Sequence, residues 1–225
     1  NHPLPGGVSG QVLNNVFINP RDIQEGLPRG GGLEIGNIKG NTTISGNLFL
    51  HDHTEPVNSV AITLVDTDFG DGHGISDTVI SNNTAFDWGV GLKISGSGDD
   101  VIKNVQFSNN YIQLPSQLRA LIDYRRPLSS GSIAYSGNKY FSSLARNQWF
   151  KGVVPPDEND TQVTFSNFTA DVGEYNDSVG GGRPTTEAFL VEARKQRKGF
   201  WRPKYTASVV NRYFREAFTA SNTTR

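Results

Sequence analysis

The chain contains no cysteine and no methionine. Without cysteine there is no disulfide framework and no thiolate metal site. That absence leaves the compartment open, since many secreted proteins also lack the residue. Methionine is missing even at position 1, so the chain reads as a processed product, an excised domain or the tail of something longer. No apolar run approaches the roughly 18 residues of a membrane span, and no signal peptide remains, so no membrane insertion is expected. Neither charge sign is in excess: the net charge is −1. Whole-molecule charge therefore gives no argument for nucleic acid as a partner. What is abundant instead is glycine, with 25 copies, together with Asn, Ser and Thr. That composition suits a β protein of short strands and many turns. At 225 residues the chain can bury a sizeable core as one domain.

One short phrase recurs five times, each time centred on an asparagine. It runs Val12–Ile18 around Asn15, Ile44–Leu50 around Asn47, Ile80–Phe86 around Asn83, Phe107–Gln113 around Asn110 and Tyr135–Phe141 around Asn138. The asparagines are 32, 36, 27 and 28 positions apart. A strand–turn–strand unit recurring with irregular insertions marks a solenoid. Each rung divides into three strands. The first strands are 32–35, 61–64, 91–94 and 120–123. The second are 42–45, 77–81, 105–108 and 132–136. The third are 48–51, 84–88, 111–114 and 139–142. In the first three first-strands apolar and polar residues alternate, so one face is buried and the other exposed. The fold class expected is all-β: a right-handed parallel β-helix with three short strands per rung and Asn-ladder turns. Asn suits such a turn because it tolerates left-handed torsion and can hydrogen-bond to its copies on neighbouring rungs. A sandwich of hairpins is the rival, but its turns would be short and its strands roughly equal.

The C-terminal part reads differently. Thr185 and Thr186 are placed to cap a helix through about Lys198, with Gly199 as its stop. Thr206 can cap a second helix, in which Val210, Tyr213, Phe214, Ala217 and Phe218 form one apolar stripe. The expected division is rungs over 1–143, a loop-rich extension over 144–184 and a small α-helical C-terminal cap over 185–225. The cap is expected to cover the open end of the solenoid, burying Val210, Phe214 and Phe218 against the last rung.

The rung 41–51, Asn-Thr-Thr-Ile-Ser-Gly-Asn-Leu-Phe-Leu-His, resembles those of the pectate-lyase-like β-helix superfamily. The order of the tail adds to this: Trp149-Phe150, then 163–168, 173–178 and 193–218 resemble the C-terminal end of large secreted bacterial β-helix proteins. The likeness covers most of the chain from about residue 32. It implies a secreted or cell-surface protein that interacts with polysaccharide, and a sugar groove beside the first strand of each rung.

The turns after those strands carry the reactive side chains. They hold Asp66, Asp68 and His73, then Asp99 and Asp100, then Arg125 and Arg126. Rungs stack about 4.8 Å apart, which makes these turns neighbours. Paired carboxylates are what glycoside hydrolysis needs. The set is similar to that of polygalacturonase-type hydrolases, but with the motifs in another order and spacing. A lyase of acidic glycans needs a base and a group to neutralise a uronate carboxylate. Lys93 on the exposed strand face is the candidate base. Glu34 and Thr63 occupy aligned positions, and Arg119, Arg125 and Arg126 lie one rung on. Solvated turn residues are the plain alternative for all of them. Asp66, Asp68, Asp99, Asp100 and Lys93 are thus the candidate catalytic residues. Glu34, His73, Arg119, Arg125 and Arg126 are the candidate substrate-binding ones. His51 and His53 share a strand face but find no third metal ligand, and read as surface histidines at a loop exit.

Charge is segregated. Residues 52–100 hold nine acidic side chains against Lys93 alone, while 194–215 hold eight Lys/Arg and no acid. The acidic belt is suited to Ca²⁺, the one cofactor expected. The basic tail could meet an anionic glycan or the acidic belt of another copy, giving self-association. Two functions remain: a polysaccharide-interacting protein, as a lyase or hydrolase of acidic glycans or a glycan-binding module, or a non-catalytic extracellular scaffold such as an adhesin or fibre subunit.

Overall fold

The computed structural model describes residues 9–18, 31–36, 38–51, 59–65, 74–95, 102–115, 120–125, 132–154, 159–172, 178–179, 182–196 and 202–221. The chain climbs in rungs. β1 (Gly10–Leu13) and β2 (Val16–Ile18) flank Asn15. β3 (Gly31–Gly36), β4 (Ile38–Ser45) and β5 (Leu48–Leu50) follow. Then come β6 (Val60–Val65), β7 (Ile75–Ser81) and β8 (Thr84–Phe86), and next β9 (Val90–Ser95), β10 (Ile102–Ser108) and β11 (Tyr111–Leu114). β12 (Ala120–Arg125), β13 (Ile133–Ser136) and β14 (Lys139–Ser142) complete the series. Equivalent strands pair in parallel into three sheets. The first sheet holds β3, β6, β9 and β12, the second β1, β4, β7, β10 and β13, and the third β2, β5, β8, β11 and β14. This is the parallel β-solenoid the repeat predicts.

Register stacks like upon like. Val12, Ile44, Ile80, Phe107 and Tyr135 form one column of the second sheet. Leu33, Ile62, Leu92, Ile122 and Phe150 form one of the first. On the third sheet Phe17 stacks on Phe49 with centroids 4.6 Å apart. These columns make one continuous core between the sheets.

The five asparagines form a ladder at the corner between the second and third sheets. Each side-chain NH₂ donates to the carbonyl oxygen of the next: Asn15 to Asn47 (3.1 Å), Asn47 to Asn83 (2.9 Å), Asn83 to Asn110 (3.0 Å) and Asn110 to Asn138 (3.1 Å). The second amide hydrogen reaches back to main chain, as from Asn83 to the Ile44 carbonyl at 2.9 Å. Each backbone N–H also donates to the next Asn oxygen, at 2.9–3.0 Å. The amides of Asn47, Asn83, Asn110 and Asn138 are buried. The left-handed torsion falls one residue earlier than the sequence reading places it, on Asn14, Gly46, Asn82, Asn109 and Gly137. Turning the chain and bonding the corner are two jobs, taken by two adjacent residues.

The fourth first-strand is also framed one residue differently. Ala120 pairs with Val90, so Leu121 stands beside Gly91 and Asp123 beside Lys93. The segment 144–184, expected as loop, carries regular structure. β15 (Phe150–Val154) extends the first sheet, and β16 (Asn159–Val163) pairs with it antiparallel. α1 (Phe165–Val172) follows, and β17 (Ser178–Val179) pairs with β14. α1 sets Phe168 over the last rung. Its ring stacks on Phe150 at 4.1 Å and meets Tyr124, Tyr135 and Tyr140 edge-on. Phe168 is fully buried. Thus α1 and β16, not the tail helices, cover this end of the core.

Two helices do follow: α2 (Ala188–Arg194) and α3 (Ala207–Ser221). Thr206 caps α3 as expected, its hydroxyl accepting from the Val209 N–H at 3.4 Å. α2 starts later than Thr185 and Thr186 suggest. Those residues form a turn, and Glu187 takes the capping position without a side-chain bond. Arg183 holds that glutamate at 3.1 Å. At the other end of α2, the Glu192 carboxyl is held below its usual range by its hydrogen bond and charge attraction to Lys195.

The tail helices lie along the flank. Leu190, Ala193, Tyr205, Ala207, Val210 and Phe214 pack on Leu48, Leu50 and Phe86, which line the outer face of the third sheet. Phe214 meets Phe86 at 4.8 Å, and Asn211 donates to the Gly46 carbonyl at 2.8 Å. Val210 and Phe214 are fully buried as expected, but against β5 and β8 rather than the last rung. Phe218 lies outside the described side chains.

Candidate functional site

The outward face of the first sheet gathers the polar side chains that register can bring together. Glu34 pairs with Thr63, Thr63 with Lys93, Lys93 with Asp123 and Asp123 with Lys151. Neighbouring strands lie about 4.8 Å apart, so these five residues form a straight column of roughly 19 Å. Glu34 is exposed and the other four are half-buried. Inward residues on either side, such as Leu92 and Ile94 around Lys93, anchor each strand and fix which face its polar residue takes.

Two of the expected site residues, Lys93 and Glu34, fall in this column. Arg125 closes β12 opposite Val153, and its backbone alone is described. Asp66, Asp68, His73, Asp99, Asp100, Arg119 and Arg126 lie outside the described residues. Asp123 and Lys151 were missed. Their signal was the alternation Ile122-Asp123-Tyr124, legible only once the strand is framed on Leu121. Lys151 sits in a strand that sequence reading placed in a loop.

The column decides one chemical question. Its two carboxylates, Glu34 and Asp123, stand three strands apart, at about 14 Å. Glycoside hydrolysis uses carboxyl pairs about 5–9.5 Å apart. Glu34 and Asp123 are therefore not such a pair, and Lys93 and Lys151 stand as cationic points on either side of Asp123.

His51 is not a surface residue. It is 5 % exposed and lies with its ring 5.0 Å from that of Trp88, inside the core end of its rung. His53 lies outside the described residues. Among the described residues no group of three His, Asp or Glu could hold a metal ion. Two acids of the belt are engaged structurally. Asp87, fully buried, meets Arg194 of the basic tail at 3.0 Å, and Asp77 accepts from Asn104 at 2.7 Å. One contact between belt and tail is thus made within a single chain. No described helix is long and apolar enough to cross a membrane.

The class this architecture defines is the parallel β-solenoid of three sheets with an asparagine-laddered corner. No protein-family model matches the chain, and neither a curated protein nor a solved structure matches it.

Proposed function

We propose that this chain is an extracellular, polysaccharide-interacting β-solenoid of the pectate-lyase-like kind, secreted or held at the cell surface. An acidic glycan lies along the outer face of its first sheet. The in-register column Glu34–Thr63–Lys93–Asp123–Lys151 carries this reading. It repeats polar groups at a spacing comparable to the length of a sugar residue. Lys93 and Lys151 suit uronate carboxylates, while Thr63, Glu34 and Asp123 suit hydroxyls. Asp66, Asp68, Asp99 and Asp100 would hold Ca²⁺, which would supply positive charge toward the carboxylates of the glycan. Lyase or hydrolase activity would rest on the same four carboxylates together with Lys93.

Calorimetry with oligogalacturonate, with and without Ca²⁺, tests the reading. Lys93→Ala is expected to weaken binding about tenfold, equivalent to 1.4 kcal/mol. Asp99→Asn is expected to remove any Ca²⁺ dependence. No binding at millimolar oligomer, or binding unchanged in both variants, favours the scaffold reading instead. The 14 Å gap between Glu34 and Asp123, roughly three strand spacings, is the observation on that side.

A further inference from the structure

The asparagine corner carries an open groove of about 610 Å³, away from the first sheet. Asn82, Asn109, Tyr111, Ser136, Gly137, Lys139 and Arg215 line it. Three parts of the fold meet there. The left-handed corner residues supply Asn82 and Asn109, both exposed, and Gly137, which has no side chain. The third sheet supplies Tyr111 and Lys139, which are register partners on β11 and β14. The tail supplies Arg215 from α3, whose guanidinium sits 4.3 Å from the centre of the Tyr111 ring. The same guanidinium donates to the Asn109 carbonyl at 3.4 Å.

We infer that this groove is a second binding site, for the anionic group of an acidic sugar, a carboxylate or a sulfate ester. Its lining holds two cations and no carboxylate. The Lys139 strand is one spacing, about 4.8 Å, from the Tyr111 strand over which Arg215 is stacked. An anion in the groove has both cations to meet. The stack on Tyr111 and the bond to Asn109 fix the guanidinium in place, so little side-chain freedom is lost on binding. Around the cations, Asn82, Asn109 and Ser136 line the groove with amide and hydroxyl groups. Gly137 keeps the floor open. The groove has its guanidinium only when α3 is docked, because Arg215 is its one contribution from the tail.

The choice of an acidic sugar rests on the proposed function; the anion preference rests on the groove alone. The test separates the two. NMR titration of the full chain with monomeric glucuronate probes the groove, since a single sugar cannot span the first-sheet column. Glucose serves as the neutral control and glucose 6-sulfate as the sulfate arm. Glucuronate is expected to shift the Lys139 and Arg215 side-chain signals at lower concentration than those of Lys93 and Lys151. Glucose is expected to shift none of them. Lys139→Ala and Arg215→Ala are each expected to weaken glucuronate binding at least fivefold, and Arg215→Lys to restore part of it. Unchanged melting curves would show that the variants keep the fold. Shifts from glucuronate but not from oligogalacturonate would keep the groove and overturn the first-sheet site. Oligomer binding that Lys93→Ala weakens but Lys139→Ala and Arg215→Ala leave within twofold would overturn the groove. So would equal shifts from glucose, or no shifts at millimolar glucuronate or sulfate.

Discussion

Each corner of the coil divides its work between neighbours that differ in one torsion. The first of each pair turns the chain at positive φ, 57° at Asn82 and 53° at Asn109. The second turns its amide inward and bonds both adjoining rungs. The pair Asn82-Asn83 therefore predicts two different responses to substitution. Asn83→Leu leaves main-chain groups of the corner unpaired in a buried site and is expected to cost about 1–3 kcal/mol in urea unfolding. Asn82→Gly removes an unfavourable torsion and is expected to change stability by only a few tenths of a kcal/mol. Equal losses in the two variants would contradict the division. Gly137→Ala probes the same corner from the other side. At φ 64° its new Cβ would stand 2.6 Å from the Asn109 amide oxygen. The torsion alone costs roughly 1–2 kcal/mol. The ladder was legible because its requirement is local: one amide, at one corner, in every rung. The charged column was not legible to the same degree. Which residue faces Lys93 depends on the register of two strands separated by an insertion, and a one-residue shift exchanges Ile122 for Asp123.

At the scale of elements, the apolar stripe of α3 was readable but its receptor was misplaced. A stripe says that one face is buried and says nothing about what covers it. The missing signal was present elsewhere: Leu48-Phe49-Leu50 is apolar at three successive positions. A strand apolar on both faces needs both faces covered. Phe49 faces the core, while Leu48 and Leu50 receive the tail. The ion pair of Arg194 with Asp87 fixes the same docking, with side-chain exposures of 10 % and 0 %. Arg194 also donates to the Thr185 carbonyl at 2.7 Å. Arg194→Ala leaves the Asp87 carboxylate buried without this partner and is expected to destabilise by about 3–5 kcal/mol. Adding Asp87→Asn, which keeps a residue tolerant of the φ of 64° there, is expected to recover part of that loss. A double variant no better than the single one would show that packing, not charge, sets the cost. At the solenoid's end the corresponding test is Phe168→Ala, expected to cost about 3–5 kcal/mol by emptying the aromatic cluster over the last rung.

For the whole molecule, the two coverings predict two distinct failures. α1 and β16 shield the end of the coil, where an uncovered strand edge would template pairing with another chain. α2 and α3 shield the flank, where Leu48, Leu50 and Phe86 would otherwise form an apolar patch. The described surface shows how complete that shielding is, since its one exposed large hydrophobic residue is Leu13, at 41 %. Removing residues 185–225 is therefore expected to leave β15, β16 and α1 in place and to uncover the flank alone. The shortened chain should bind a hydrophobic dye strongly and self-associate, as measured by light scattering. Replacing Leu50 and Phe86 by Thr in that shortened chain separates patch from edge. Thr suits a strand, and both positions point away from the core, so the rungs should persist by circular dichroism. If the flank drives association, this polar-flanked version is expected to stay monomeric. If it aggregates like its parent, an exposed edge is responsible, and the tail helices cap the coil after all.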